Sequence, residues 1–296
     1  MNSFSISQLA RFSGVKAHTI RIWEQRYYAL KPSRTEGNTR HYDSDQLRRL
    51  LNIVSLSQLN YKVSELCALP DNKLFRLIEE SYVEHQDKSY EYFVANLVAA
   101  GISYDEPGFE KVFSDCILQF GVKETYLKII YPMLVRIGIM WSSDTIPAAH
   151  EHFITNLLRQ KFLTAIDSLP LAKPGSDSWL LFLPENEFHE MGLLFGNYLL
   201  RQSGEKVIYL GCNLPVQSLK TAVKTLSPNN LFLFLVHHDL SDDIQEYLNN
   251  LSNQFKGKNI FVAADEKVTN GLNKGNNVFF LNSVEDLEQK LSFLNV

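Results

Sequence analysis

The run Thr19-x-Arg21-x-Trp23-Glu24-x-Arg26-Tyr27, followed by Leu30-x-Pro32-x-Arg34-x-x-Gly37-Asn38-x-Arg40-x-Tyr42, constrains the fold of this chain more than any other stretch. It puts basic and aromatic side chains on a short helix and then on an adjoining hairpin whose turn falls at Gly37-Asn38. Upstream, Ile6-Ser7-Gln8-Leu9-Ala10-Arg11-Phe12 has apolar residues at helical spacing and stops at Ser13-Gly14, a break that can turn the chain into a second helix. The pattern is that of a helix-turn-helix, with its second helix expected at about Lys16 to Tyr28. Such a helix lies in the major groove, where Lys16, His18, Thr19 and Arg21 would reach base edges or flanking phosphates while Ile20 and Trp23 face the core. Two short strands around Gly37-Asn38 would form a wing whose Arg34 and Arg40 grip phosphates, and Arg26 and Tyr42 complete the candidate DNA-binding set.

A basic amphipathic helix taken alone is more often a solvated surface than a groove reader. Charge partition argues for the second reading. Residues 1 to 62 carry ten Lys or Arg and four Asp or Glu, a balance of +6, whereas the whole chain is −4, so the remainder is −10. A basic N-terminal module on an acidic body is the asymmetry expected of a protein that binds phosphates at one end.

The stretch from Phe4 to about Leu69 resembles the DNA-binding domain of the MerR family of transcriptional regulators, and its Trp23-Glu24-x-Arg26-Tyr27 variant is similar to the light- and cobalamin-responsive branch. The resemblance implies that helices at Asp43 to Leu59, bearing Arg48 and Arg49, and at Val63 to Ala68 complete the winged domain.

With 296 residues and 45% apolar content, the chain has room for two or three domains with real cores. Cys67, Cys116 and Cys212 are scattered, with no Cys-x-x-Cys or Cys/His cluster, so neither a disulfide framework nor a structural zinc site is indicated and a reducing compartment is expected. No apolar run approaches the roughly 20 residues of a membrane span, and the sequence begins with foldable helix instead of a signal peptide. A cytoplasmic protein without a membrane partner is expected.

Breaks at Leu69-Pro70-Asp71 and across Ser168 to Ser176 divide the chain into expected domains at 1–70, 71–172 and 173–296. The middle segment shows helical patterns at Lys73 to His85, Tyr90 to Gly101, Pro107 to Phe120, Lys123 to Ile139 and Ala148 to Ile166, the signature of a small helical bundle. After Pro174, short apolar runs at Trp179 to Leu183, Val207 to Leu210, Leu231 to Val236, Ile260 to Ala263 and Val278 to Leu281 suit buried parallel strands. Amphipathic helices at Met191 to Gln202, Val216 to Leu226, Asp242 to Phe255 and Val284 to Leu294 separate most of them. The expected fold class is thus multidomain: a winged helix-turn-helix, a helical bundle and a flavodoxin-like α/β domain with a parallel sheet. Its ligand crevice belongs at the carboxyl ends of the strands, in the loops after Leu183, Leu210, Val236 and Ala263.

The first of those loops reads Glu187-Phe188-His189-Glu190-Met191-Gly192, and glycine at its end permits close backbone approach. A lone histidine at a helix start is more often a surface residue or cap. Two companions change its weight: Gly211 with Pro215 after the second strand, and Trp141 followed after nine residues by Glu151-His152. Together these elements resemble the cobalamin-binding module, a helical cap joined to an α/β domain whose loop histidine replaces the cofactor's own base beneath cobalt. The resemblance implies adenosylcobalamin as cofactor and His189 as the lower axial cobalt ligand. It also implies Glu187 as the loop partner of His189, Gly192 and Gly211 beside the cofactor, Trp141 over the upper face, and Glu151 and His152 binding or closing over the adenosyl group.

The chain departs from that pattern in three places. Leu235-Val236-His237-His238 stands where a small hydroxyl residue ends the third strand, and Ala263-Ala264-Asp265 stands for a Gly-Gly pair after the fourth; both narrow the space for the cofactor's nucleotide tail. Ser142 occupies the place of a histidine that ligates cobalt after light removes the adenosyl group, which leaves His150 as the nearest substitute. The reading that follows is a DNA-binding transcriptional regulator, a repressor, that senses adenosylcobalamin and light as a homo-oligomer, dimer or tetramer, on double-stranded operator DNA. It is expected not to be an enzyme. One alternative is a MerR-like regulator whose C-terminal domain is a degenerate, cofactor-free interaction module; another is a corrinoid methyl-transfer protein.

Overall fold

The computed structural model describes residues 4–294 except 14, 35–38, 59–60, 72, 75–76, 78–85, 143–145, 237–243 and 274. Its contacts divide the chain into two compact units, Met1–Asn156 and Leu157–Val296.

The first unit opens with α1 (Ile6–Ser13) and α2 (Ala17–Tyr27), the helix-turn-helix pair. Ser5 and Gln8 form a reciprocal capping box at the start of α1: Ser5 N donates to Gln8 Oε1 (2.7 Å) and Gln8 N to Ser5 Oγ (3.3 Å). Helix α2 ends on Tyr28, which sits at φ 52° in the left-handed region; Tyr28 N donates to Glu24 O (3.1 Å) and Ala29 N to Trp23 O (3.2 Å), tying off the helix. Strands β1 (Ser33–Arg34) and β2 (Arg40–His41) pair antiparallel as the wing, and the expected turn at Gly37-Asn38 lies outside the described residues. The wing is fastened to the N-terminus by the bridge between Phe4 and Tyr42, whose backbones exchange hydrogen bonds of 2.7 and 2.9 Å.

Helices α3 (Ser44–Gln58) and α4 (Val63–Ala68) close the winged domain. Arg49 on α3 is their clasp. Its guanidinium donates to the carbonyls of Ala29 (2.8 Å), Cys67 (2.8 Å) and Leu69 (3.0 Å) and pairs with Asp71 at 2.5 Å. The rigid five-donor fork of arginine suits this multiple role, so Arg49 is a structural residue.

The bundle consists of α5 (Gln86–Ile102), α6 (Glu106–Thr125), a π-helical stretch at Tyr126–Ile130, α7 (Tyr131–Ser142) and α8 (Ala148–Asp167). The expected helix at Lys73 to His85 lies largely outside the described residues. Asp105 caps α6 by accepting from Gly108 N (3.1 Å), with Pro107 in the first turn where its missing N–H costs nothing. Gly121 (φ 73°, ψ 172°) breaks the helix where the sequence shows a boundary between two helical patterns. Helix α3 of the winged domain packs against α5, and Arg48 lies 3.5 Å from Asp105, so winged domain and bundle fall within one compact unit.

In the second unit, β3 (Ser178–Pro184), α9 (Glu190–Gln202), β4 (Lys206–Leu214), α10 (Val216–Leu226), β5 (Asn230–Leu235), α11 (Ile244–Gln254), β6 (Asn259–Ala264), α12 (Glu266–Thr269), β7 (Val278–Leu281) and α13 (Val284–Leu294) alternate along the chain. All sheet pairs are parallel, in the order β4-β3-β5-β6-β7. Alternate residues of β5 serve opposite faces: Leu231, Leu233 and Leu235 pack with Leu219, Val223 and Leu248, whereas Phe232 and Phe234 face α9. The short α12, which the sequence pattern did not show, is capped by Asp265 accepting from Lys267 N (2.8 Å).

Candidate corrinoid and nucleic-acid sites

On the winged domain, helix α2 buries Ile20 and Glu24 and exposes Lys16, His18, Arg21 and Arg26, with Thr19 half-buried between. Lys16 holds the N-cap position without a capping side-chain bond, which leaves the first backbone N–H groups of an eleven-residue helix available to a phosphate. Arg34 is exposed on the wing. Arg26 sits in the last turn of α2, where it also meets the negative end of the helix dipole.

The structure corrects one expectation and adds detail to two others. Tyr42 is 1% exposed and its hydroxyl donates to the Glu24 carboxylate, so it packs the interior and does not face a groove. Burial first, then the hydrogen bond to Glu24, pushes the phenol well above its ordinary range and keeps it a donor. Arg40 places Nε 3.2 Å from Glu24 Oε2, which ties the wing to the recognition helix while its side chain stays 28% exposed. Trp23 is only half-buried, and the interior position beside it belongs to Glu24. A buried carboxylate in that place is tolerable because Tyr42 and Arg40 both reach it.

In the bundle, α7 presents Tyr131, Val135 and Trp141 at 45, 46 and 53% exposure. Tyr131, Val135 and Gly138 share one helical face with Trp141 roughly 80° round at its edge, and a Cβ at Gly138 would meet nothing within 4 Å. Trp141 is therefore not a packed core aromatic: it belongs to an uncovered apolar face. On the first turn of α8, Glu151 Oε2 lies 3.0 Å from His152 Nδ1, and His152 is largely exposed. His150 is half-buried and stacks on Tyr104 (centroids 4.5 Å, 27°). Burial lowers its pKa, against the nearby carbonyls of Pro147 and Ile102, which act to raise it.

In the α/β unit, the loop between β3 and α9 is built around Glu187. That carboxylate is 5% exposed and accepts from both the His189 backbone N–H (2.8 Å) and the His189 ring at Nδ1 (2.6 Å). Burial acts to raise the Glu187 pKa, but the ring and backbone bonds from His189 outweigh it and hold the group below the ordinary carboxylate value. The end of β4 steadies the loop from the side: Asn213 N donates to Glu187 O (3.1 Å) and Asn186 N to Asn213 Oδ1 (2.9 Å). Gly211 (φ 79°) and Asn213 (φ 55°) adopt the left-handed backbone that this irregular strand end requires. Behind His189, Glu190 pairs with Arg159 (2.9 Å) and accepts from Tyr209 (2.9 Å), whose phenol is raised by burial and by the Glu190 charge.

A ring fixed through Nδ1 by a carboxylate, with the rest of the imidazole about half exposed, is the outer-shell arrangement that orients a histidine metal ligand. The donor chemistry therefore fits a corrinoid cobalt. Gly192 fits less simply. A Cβ there would lie 2.4 Å from the ring of Phe234, so the space its missing side chain leaves is filled by that ring. His237 and His238 lie outside the described residues. Ala263 and Ala264 close β6, with Ala264 buried in the core on the α10 and α11 side.

Residues 4–69 match the family described as MerR HTH family regulatory protein, and residues 94–164 match the family described as B12 binding domain. The chain joins a MerR helix-turn-helix to a B12-binding domain. It is similar to the HTH-type transcriptional repressor CarH of Myxococcus xanthus, 28% identical with 84% of each chain covered. It is similar also to the repressor CarA of the same organism, 28% identical over 78% of this chain and 76% of that one. These named relatives are regulators, not enzymes. Among solved structures, the monomethylamine corrinoid protein of Methanosarcina barkeri shares the fold at TM-score 0.52 and 12% identity, covering 67% of this chain and 96% of that one. Among the described residues no helix is long and apolar enough to cross a membrane.

Proposed function

We propose that this MerR-type regulator is a repressor that binds double-stranded operator DNA as a homo-oligomer in the cytoplasm and reads adenosylcobalamin through its B12-binding module. The observation that carries the sensing half is the Glu187–His189 pair: a buried carboxylate holds the imidazole by Nδ1 at 2.6 Å, which directs the opposite edge of the ring toward a metal. Adenosylcobalamin would supply a photolabile cobalt–carbon bond. His189 would ligate cobalt and Glu187 would fix its tautomer, while Trp141, Glu151 and His152 would serve the adenosyl group. The DNA-binding half rests on Lys16, His18, Thr19, Arg21, Arg26, Arg34 and Arg40. Two winged domains in one assembly raise operator affinity through effective concentration, so a ligand that changes assembly changes repression.

The test is a dark titration of the purified chain with adenosylcobalamin, followed by absorption and by size-exclusion chromatography before and after illumination. Wild type is expected to displace the cofactor's own base and assemble in the dark, then change assembly in light. His189→Ala is expected to lose the histidine-ligated spectrum while keeping its folded secondary structure. Identical spectra and affinities for the two proteins would remove His189 from the ligand role, and no uptake by wild type would leave the cofactor-free interaction module as the better reading.

A further inference from the structure

The order β4-β3-β5-β6-β7 places the topological switch point between β3 and β5, because the connection leaving β3 runs to one side of it and the later strands lie on the other. In open parallel sheets the ligand crevice lies at the carboxyl ends of the strands at that point. Here it is bounded by the loop carrying Glu187 and His189, by the first turn of α9 with Gly192, and by the end of β5. The gap beside Gly192 is taken. A Cβ on Gly192 would come within 2.4 Å of Phe234 Cε1 and Cζ and 2.6 Å of Cδ1, and one turn on, a Cβ on Gly196 would come within 2.8 Å of the Phe232 ring. Phe234 is half-buried, unlike Phe232, so its ring stands at the mouth of the packed layer between α9 and β5.

This arrangement bears on which corrinoid the site takes, and so rests on the reading that His189 ligates cobalt. When a protein imidazole occupies the lower position, the cofactor's own base is displaced together with the nucleotide tail that carries it. That tail leaves the ring on the same lower face from which His189 approaches, so it has to enter the crevice beside the histidine. We infer that Phe234 is the specificity gate of this crevice: the site admits tail-truncated corrinoids of the cobinamide class without rearrangement, whereas a full nucleotide tail enters only after the Phe234 ring swings out of the Gly192 gap. The ring is the far end of a flexible side chain, so the gate opens by a rotamer change and leaves the strand backbone in place.

The experiment is a dark spectral titration of the full-length chain with adenosylcobinamide and with adenosylcobalamin, using wild type, Phe234→Ala, Phe234→Leu and His189→Ala. Cobinamide has no base of its own to displace, so the decisive quantity is the change in the affinity ratio between variants. Phe234→Ala is expected to raise cobalamin affinity by about tenfold, the equivalent of roughly 1.4 kcal/mol, and to leave cobinamide affinity unchanged. Phe234→Leu is expected to fall between, and it carries the test if the alanine variant loses its cooperative melt. An unchanged ratio in a folded Phe234 variant, with a histidine-ligated spectrum still dependent on His189, would overturn the gate and leave the cobalt-ligand reading intact. Failure of wild type and both Phe234 variants to take up either corrinoid would overturn the gate together with that reading.

Discussion

Removing one oxygen from Tyr42 separates its role in the wing from a role on DNA. In Tyr42→Phe the ring stays buried, so the apolar contribution is retained, and what is lost is the hydrogen bond to the Glu24 carboxylate. Bonds to charged acceptors contribute about 1.5–3 kcal/mol. Glu24 keeps its ion pair with Arg40 at 3.2 Å, and Arg40 is 28% exposed, so solvent helps to satisfy what remains. The cost therefore belongs at the lower end, about 1.5–2 kcal/mol, or roughly ten- to thirtyfold in local opening. Amide hydrogen exchange measured by mass spectrometry on the peptides spanning α2 and β2 reads this directly, because exchange there reports the opening of the local unit. Affinity should be measured by anisotropy on a duplex selected from a randomised pool by the wild-type protein, and it should change less than about twofold, since stability well above threshold leaves the folded fraction intact. Unchanged exchange together with a large affinity loss would refute the buried role and return Tyr42 to the DNA surface.

Other expectations follow from the same geometry. Arg21→Ala and Arg34→Ala should each weaken binding to that duplex and lower the slope of log affinity against log salt by about one unit, whereas a base-reading Arg21 would in addition flatten discrimination among sequences by roughly 1–3 kcal/mol; a salt titration that leaves both variants indistinguishable from wild type contradicts the assigned surface. Glu187→Gln should blunt the acid dependence of the α/β unit. The folded pKa of Glu187 lies below its ordinary value of 4.5, so the carboxylate adds stability above that pH and loses it as pH falls through the folded value. Thermal melts across pH 3 to 7 should therefore show wild type and variant converging at the acid end, as a rough guide from that linkage, and parallel curves would show that the His189 bonds do not hold the carboxylate down.

Much of the fold was legible because its signals are local. Helices Val216–Leu226 and Val284–Leu294 and strand Val278–Leu281 match the ranges read from periodicity and breakers, and Val63–Ala68 matches the range the resemblance implied. The break between the two helical patterns near Phe120 is realised at Gly121, whose φ of 73° few other residues would accept. What sequence periodicity missed depends on partners far along the chain. Ile20 and Trp23 read as the core residues of α2; Ile20 is buried and Trp23 only half so, and Glu24 joins the interior because the wing brings Tyr42 and Arg40 to it. Strand β4 reads as ending at Leu210 because the apolar run stops there, but it continues to Leu214 through two register shifts against β3. The hydrogen bonds that justify the extension come from Asn186 and Glu187 in another loop. At the candidate site, residue types and spacing named His189 and its carboxylate, and the resemblance gave the role. The ring of Phe234 in the Gly192 gap was invisible, since a glycine states that something comes close without saying what.

The organisation of the first unit limits how a ligand could control DNA binding. Arg49 ties α3 to the turn after α2 and to the end of α4 through three carbonyls, while α3 itself packs against α5 of the bundle and Arg48 reaches Asp105. Loosening the wing internally would break several of these bonds at once, each worth about 0.5–1.5 kcal/mol or more when charged. A ligand shifts an equilibrium only by its differential affinity for the two states, and typical coupling is about 1–3 kcal/mol. Refolding the winged domain would consume that coupling entirely. Changing how whole copies of the chain associate requires none of those bonds to break, because the exposed face of α7 and the Glu151–His152 pair lie at the surface. Under the proposed function, control through assembly, with each winged domain kept intact, is therefore the energetically accessible route to the operator.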